Sequence, residues 1–243
     1  MRAPAKYSLV DDYSNGVHPK LLEGLVYDNQ YQPSAYEELD SSADARGPIR
    51  HRLQCSDQVG VWFVPSGTSA NTISIASCLR PHESVLAASS GHIVVRETGA
   101  VKATGHKIIS IPPEAEKLTP ASISRALEQN WHFPHMSRPR LVYFSNATEL
   151  GTVYTRAELE ALKGLCVRND FVTLPRRCSV VDSHDFSKKD LTWPDFLELT
   201  DLFWIVGTKN GALLGEAIII KGPRLARDFD FHVKQHGCLL AKS

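Results

Sequence analysis

Short β-branched apolar runs alternate along the chain with longer segments whose apolar positions recur at helical spacing, and this alternation predicts an α/β domain. The strand-like runs are VGVWFV (59–64), SVLAA (84–88), HKIISI (106–111), LVYFS (141–145), CSVVD (178–182), LFWIV (202–206) and EAIII (216–220). Several are apolar throughout, as strands covered by helices on both faces tend to be. Helices are predicted over 18–29, 70–79, 120–129 and 156–168. Thr119 can cap the third of these, with Pro120 in its first turn, where a missing N–H costs nothing. Thr155 followed by Glu158 has the spacing of a capping box for the fourth. Two stretches, 29–57 and 168–190, break the pattern with Pro, charge and small polar residues and read as loops. In a sheet of this kind polar residues at strand ends point into the ligand crevice, so chemistry is sought there.

Composition narrows the partners. The chain has 243 residues, 42% of them hydrophobic, enough for a sizeable core. Its 27 basic and 27 acidic residues cancel, which removes the overall positive field that would gather nucleic acid or an anionic membrane and points to a small-molecule or protein partner. The N-terminal stretch lacks the apolar centre of a secretory signal, and no apolar run approaches a membrane span, so a soluble, cytoplasmic protein is expected. Five scattered cysteines, odd in number and without a close pair, fit reduced thiols better than a disulfide frame or a zinc site. His132 and His135 have neither helical spacing nor an acidic or thiol companion, and no metal is expected there.

Three strand ends carry candidate chemistry. In VWFVPSGTSANTISIASCL, Gly67, Thr68 and Ser69 fall at a helix start, where free amides and the positive end of the dipole suit a phosphate; an ordinary capped helix start accounts for the same residues equally well. The run SVVDSHDF ends on Asp182, read either as a cap, the favoured reading from the residues alone, or as the partner of a cation in the crevice. Lys209 sits in LFWIVGTKNGALLGEAIII, between two of the most apolar runs. One reading has it snorkel to water. The other makes it a desolvated amine, partly neutral and nucleophilic, suited to bond an aldehyde. Phosphate cradle, acid and amine together are the three attachments that pyridoxal phosphate requires. His92 and His106 add two groups able to stack on a planar ring or move a proton, or else two structural histidines.

The segments DDYSNGVHPKLLEGL, FVPSGTSANTISIASCLRPHESVLAASSGHIVVRETGAVKATGHKI, TELGTVYTRAELEAL, LTWPDFLELTDLFWIVGTKNGALLGEAII and HVKQHGCLLAKS resemble, in order, the L-threonine aldolase family of the β-eliminating lyase group. The resemblance implies the large domain of a fold-type I (aspartate aminotransferase fold) pyridoxal 5'-phosphate enzyme, a mostly parallel sheet flanked by helices. It implies that Lys209 binds the cofactor's aldehyde, that Gly67, Thr68 and Ser69 bind its phosphate, that His92 stacks on its ring, and that Asp182 keeps the ring nitrogen protonated. Ser14 would lie near the substrate carboxylate, and His92 or His106 would serve as base. The implied reaction cleaves L-threonine or L-allo-threonine to glycine and acetaldehyde, in a homodimer or homotetramer. Residues 1–40 would contribute to the active site, 41–228 would form the cofactor-binding domain, and 229–243 would begin the connection to a small C-terminal domain that this sequence does not contain.

Two departures accompany the resemblance. The family's Asp-Gly-Ala-Arg is here Asp-Ser-His-Asp, placing Asp185 where an arginine is expected. Arg176 or Arg177 could stand in for it, although a solvated loop pair is the favoured reading. The second departure is the missing C-terminal domain with its further arginine. Together they supply the alternative expectation, a catalytically impaired member that keeps the fold as a cofactor-binding or dimerisation module.

Overall fold

The computed structural model describes residues 16–30, 40–177 and 190–240. Helices α1 (Pro19–Asp28) and α2 (Asp40–Leu53) precede β1 (Gly60–Val64), α3 (Gly67–Cys78) and β2 (Glu83–Ala88). The short helices α4 (His92–Val95) and α5 (Ala100–Ala103) lead to β3 (Lys107–Ile111), α6 (Pro120–Asn130), β4 (Arg138–Ser145) and α7 (Arg156–Asn169). Then come β5 (Val172–Arg177), α8 (Trp193–Leu199), β6 (Leu202–Val206), β7 (Glu216–Ile220), α9 (Pro223–Ala226) and α10 (Phe229–Gln235).

The strands form one seven-stranded sheet in the order β1-β7-β6-β5-β4-β2-β3. Only β7 runs antiparallel to its neighbours, so the other strands all end on the same edge. Two apolar layers sandwich the sheet, as the uniformly apolar strands predict. On one face Ala70, Ile73 and Ile75 of α3 and Phe229 and Val233 of α10 pack against Val85, Tyr143, Leu174, Trp204 and Ile218. On the other, Ile123 of α6, Leu159 and Leu162 of α7 and Phe196 of α8 pack against Leu86, Val142, Phe144, Phe203 and Ile219. Both predicted caps form: Thr119 with Ser122 on α6, and Thr155 with Glu158 on α7.

Both stretches read as loops contain regular structure. Within 29–57 lies α2, whose polar sequence and internal Pro48 hide it from periodicity. Tertiary contacts hold it: Arg46 and Arg50 donate from Nε to the carbonyls of Val61 and Val59, and Leu53 is buried. Within 168–190 the chain forms β5, earlier than the strand expected over 178–182, which lies outside the described residues. Pro175 is tolerated because β5 pairs with β6 only from Arg176 onward. No described helix is long and apolar enough to cross a membrane.

Candidate active site

The ends of the parallel strands gather most of the sequence-predicted residues along one edge of the sheet. After β1 the chain enters α3 with Gly67, Thr68 and Ser69 as its first three residues. Ser66 caps the helix, its Oγ accepting from the Ser69 amide at 3.2 Å, while the amides of Gly67 and Thr68 have no acceptor within a helix. Gly67 lies against the indole of Trp204 so closely that a Cβ there would come within 2.7 Å of Cη2. The pattern reading of this helix start was therefore correct, and the neighbour that forces the glycine comes from β6.

After β2 the chain turns into α4 at His92. The His92 amide donates to Glu149 Oε1 at 2.9 Å, and its ring Nδ1 lies 2.7 Å from Oε1 of the fully buried Glu97 side chain. That same oxygen accepts from Asn71 Nδ2 at 2.5 Å, and Asn71 Oδ1 accepts from Trp204 Nε1 at 2.9 Å. An unbroken chain of hydrogen bonds thus runs from β6 through α3 to the histidine. Glu97, Asn71 and Trp204 carry no motif in the sequence; the acidic residue five positions after His92 was the one available signal.

His106 is placed elsewhere. It precedes β3 at the opposite edge of the sheet, buried with Nδ1 unpartnered among the described residues, and burial pushes its pKa below the ordinary value, against the influence of Glu83. Of the two candidate histidines only His92 reaches the crevice.

After β5 comes the main correction. Arg176, read as half of a solvated pair, is buried at 5% exposure. Its backbone pairs with Ser145 of β4 and Trp204 of β6, and its guanidinium lies 5.5 Å from the Trp204 ring centroid and 3.9 Å from Glu149. Among the described residues its buried Nε has no hydrogen-bond partner. The guanidinium is thus held between the Trp204 ring and the Glu149 carboxylate near the end of β5.

After β6, Lys209 sits half-buried in a 3-10 turn, Thr208–Asn210. The turn is fastened from β7: Glu216 accepts from the Gly207 amide at 2.7 Å and from Thr208 Oγ1 at 2.8 Å. Burial raises the Glu216 pKa, opposed by those two hydrogen bonds and by the charges of Arg176 and Lys209. A Cβ on Gly207 would fall 2.4 Å from the Gly215 carbonyl, so only glycine lets the two ends of the loop close. The His18 amide at the start of α1 donates to the Gly211 carbonyl at 2.9 Å, tying the N-terminal segment to the lysine turn. Ser14, Asp182 and Asp185 lie outside the described residues.

A helix start with free amides, an amine on the turn after β6 and a histidine after β2, all on one edge of a mostly parallel seven-stranded sheet, define the large-domain architecture of fold-type I enzymes. The family model described as beta-eliminating lyase matches residues 35–230. A low specificity L-threonine aldolase from a Pseudomonas species is 31% identical over 96% of this chain and 66% of its own length. The Leishmania major threonine aldolase structure superposes with a TM-score of 0.92 at 40% identity, covering 97% of this chain and 68% of that one. Cystalysin from Treponema denticola, solved with pyridoxal 5'-phosphate, shares the fold at a TM-score of 0.70 and 15% identity, over 96% of this chain and 60% of that one. The chain belongs to the threonine aldolase family of β-eliminating lyases, and it spans about two thirds of the length of the curated relatives it matches, 66%.

Proposed function

We propose that this chain is the cofactor-binding part of a pyridoxal 5'-phosphate-dependent carbon–carbon lyase that cleaves L-threonine or L-allo-threonine to glycine and acetaldehyde. The observation that carries the reading is the convergence of the Gly67–Ser69 helix start, the Lys209 turn and the Glu97-held His92 on one sheet edge. The residues fit the cofactor at both ends. The unshared amides of Gly67 and Thr68 can take a phosphate, and the half-buried lysine can take an aldehyde. When bound, pyridoxal phosphate supplies an electron sink for the pair released as the substrate's Cα–Cβ bond breaks.

The protein's own part is binding, orientation and proton movement. Lys209 would hold the cofactor, and Gly67, Thr68 and Ser69 would hold its phosphate. His92 would lie against the bound ring and, through Nε2, would take the proton from the substrate's β-hydroxyl. Asp182 is the proposed acid at the ring nitrogen, and Ser14 a proposed contact for the substrate carboxylate. Arg176 joins them as a positive charge beside Trp204 and Glu149, of the sign that a substrate carboxylate needs and that Asp185 lacks.

Residues 1–40, 41–228 and 229–243 are proposed to serve as active-site segment, cofactor domain and connection. The protein is proposed to work as a cytoplasmic homodimer or homotetramer in threonine breakdown and glycine formation. Helix α1 supports self-association, because Leu21, Leu22, Leu25, Val26 and Tyr27 are all exposed on it and it buries no residue of its own.

The test is direct. Purified protein mixed with pyridoxal phosphate should gain the visible absorbance of a lysine-bound cofactor, and borohydride followed by peptide mapping should place the label on Lys209. Addition of L-threonine or L-allo-threonine should release glycine. Failure of folded protein to take up label at Lys209 refutes the reading, and label without glycine reduces it to cofactor binding alone.

A further inference from the structure

We propose that Glu97 is a positioning residue that fixes the His92 ring in a single orientation and a single tautomer, with the proton on Nδ1 and the lone pair on Nε2. The directions of the hydrogen bonds in the chain follow from a donor-only indole at one end and an acceptor-only carboxylate beside the histidine. An indole N–H can only donate, so Trp204 Nε1, 2.9 Å from Asn71 Oδ1, requires the amide oxygen of Asn71 to face it. The NH2 group of Asn71 must then face Glu97, where Nδ2 lies 2.5 Å from Oε1. A carboxylate oxygen only accepts, so the second group upon Oε1, His92 Nδ1 at 2.7 Å, is a donor. Amide flip and imidazole tautomer are both decided without reference to any ligand.

Orientation follows from the same contacts. The His92 main chain is held by Glu149 and its ring by Glu97, so both ends of the residue are tethered from different elements. The Glu97 side chain is 0% exposed and the His92 side chain 28%, which leaves the histidine, not the glutamate, open to the crevice. A carboxylate behind an imidazole also stabilises the imidazolium that forms when Nε2 takes a proton. The role at a substrate hydroxyl rests on the proposed lyase reading; the tautomer does not.

The experiment therefore starts without cofactor. Protein carrying 15N-labelled histidine is examined by long-range 1H–15N correlation, with His92→Asn identifying the His92 signals. The Nδ1–H pattern is expected in wild type. It should persist in Glu97→Gln, whose amide oxygen still accepts, and give way to the Nε2–H form, the usual solution tautomer, in Glu97→Ala. An Nε2–H pattern in wild type, or an Nδ1–H pattern surviving in folded Glu97→Ala, overturns the proposal. Should the alanine variant not fold, the wild-type and glutamine spectra decide it alone. With cofactor and L-threonine, kcat for glycine release should fall about 10–100-fold in Glu97→Ala, with KM little changed and partial recovery in Glu97→Gln. A lower KM-dominated effect would overturn the positioning role. Absence of glycine release in wild type would count against the lyase reading while leaving the tautomer result intact.

Discussion

Gly67→Ala tests how closely the candidate phosphate turn is built against the sheet. The new methyl carbon would lie 2.7 Å from Trp204 Cη2, 3.2 Å from Cζ3 and 3.6 Å from Cζ2, all on the outer ring of the indole. Carbon atoms settle at about 3.5–4.0 Å, so the helix start or the indole must retreat by roughly 1 Å. The indole is 1% exposed and pinned to Asn71, and it has little room to do so. Overpacking of this kind costs about 1–3 kcal/mol. If the indole yields by leaving Asn71, an unpaired buried acceptor adds about 1–3 kcal/mol. The expected loss is about 2–5 kcal/mol in urea unfolding followed by circular dichroism. Trp204→Phe removes the outer ring carbons, so in that background Gly67→Ala should cost little or stabilise by a few tenths of a kcal/mol through the unfolded chain, roughly as other compatible Gly→Ala changes do. The double-mutant cycle should therefore give a coupling about as large as the wild-type loss, about 2–5 kcal/mol. A loss below about 0.5 kcal/mol in the wild-type background, or equal losses in both, would refute the close-packing argument.

Three further outcomes follow from the same packing. Asp201 accepts from Lys163 at 2.7 Å and from the Thr173 amide and hydroxyl at 2.9 and 2.7 Å; burial pushes its pKa up, but these contacts win and hold it below the ordinary value. Its contribution to stability is complete above the unfolded aspartate value of about 3.9 and is lost as pH falls through the lower folded value, so the urea midpoint of Asp201→Asn should depend less on pH between about 6 and 3 than that of wild type. Tyr154→Phe removes the oxygen that accepts from the buried Leu118 amide at 2.7 Å and should cost about 1–3 kcal/mol, read as a lower urea midpoint at constant slope. Phe196→Ala, at 0% exposure and edge-on to Phe203 with ring centroids 5.1 Å apart, should cost about 3–5 kcal/mol by the same measurement.

How much of this was legible in the chain depends on whether the information is local. Strands such as LFWIV and EAIII have the observed bounds because apolar runs bracketed by polar residues declare themselves. The caps at Thr119 and Thr155, the helix start at Gly67 and the isolated Lys209 are local signals of the same kind. Helix α2 failed the test because its periodicity is weak and two arginines reaching β1 and the residue before it hold it in place. Nothing in the helix's own sequence announces such contacts.

Arg176 shows the same limit at the site. In sequence, Pro-Arg-Arg reads as a solvated turn, since proline breaks ladders and guanidinium groups seek water. In the fold, the register of β5 sets Arg176 between Ser145 and Trp204, which come from strands 31 positions before it and 28 after it. Its burial is therefore a property of strand order. The chain from Trp204 through Asn71 and Glu97 to His92 joins three segments in the same way, and its logic, a donor-only indole setting the Asn71 amide and an acceptor-only carboxylate setting the His92 ring, exists only once the sheet has closed. The Gly67 helix start, His92 and Lys209 are thus legible from short motifs, while Glu97, Asn71 and Trp204, which hold His92, are supplied by the sheet.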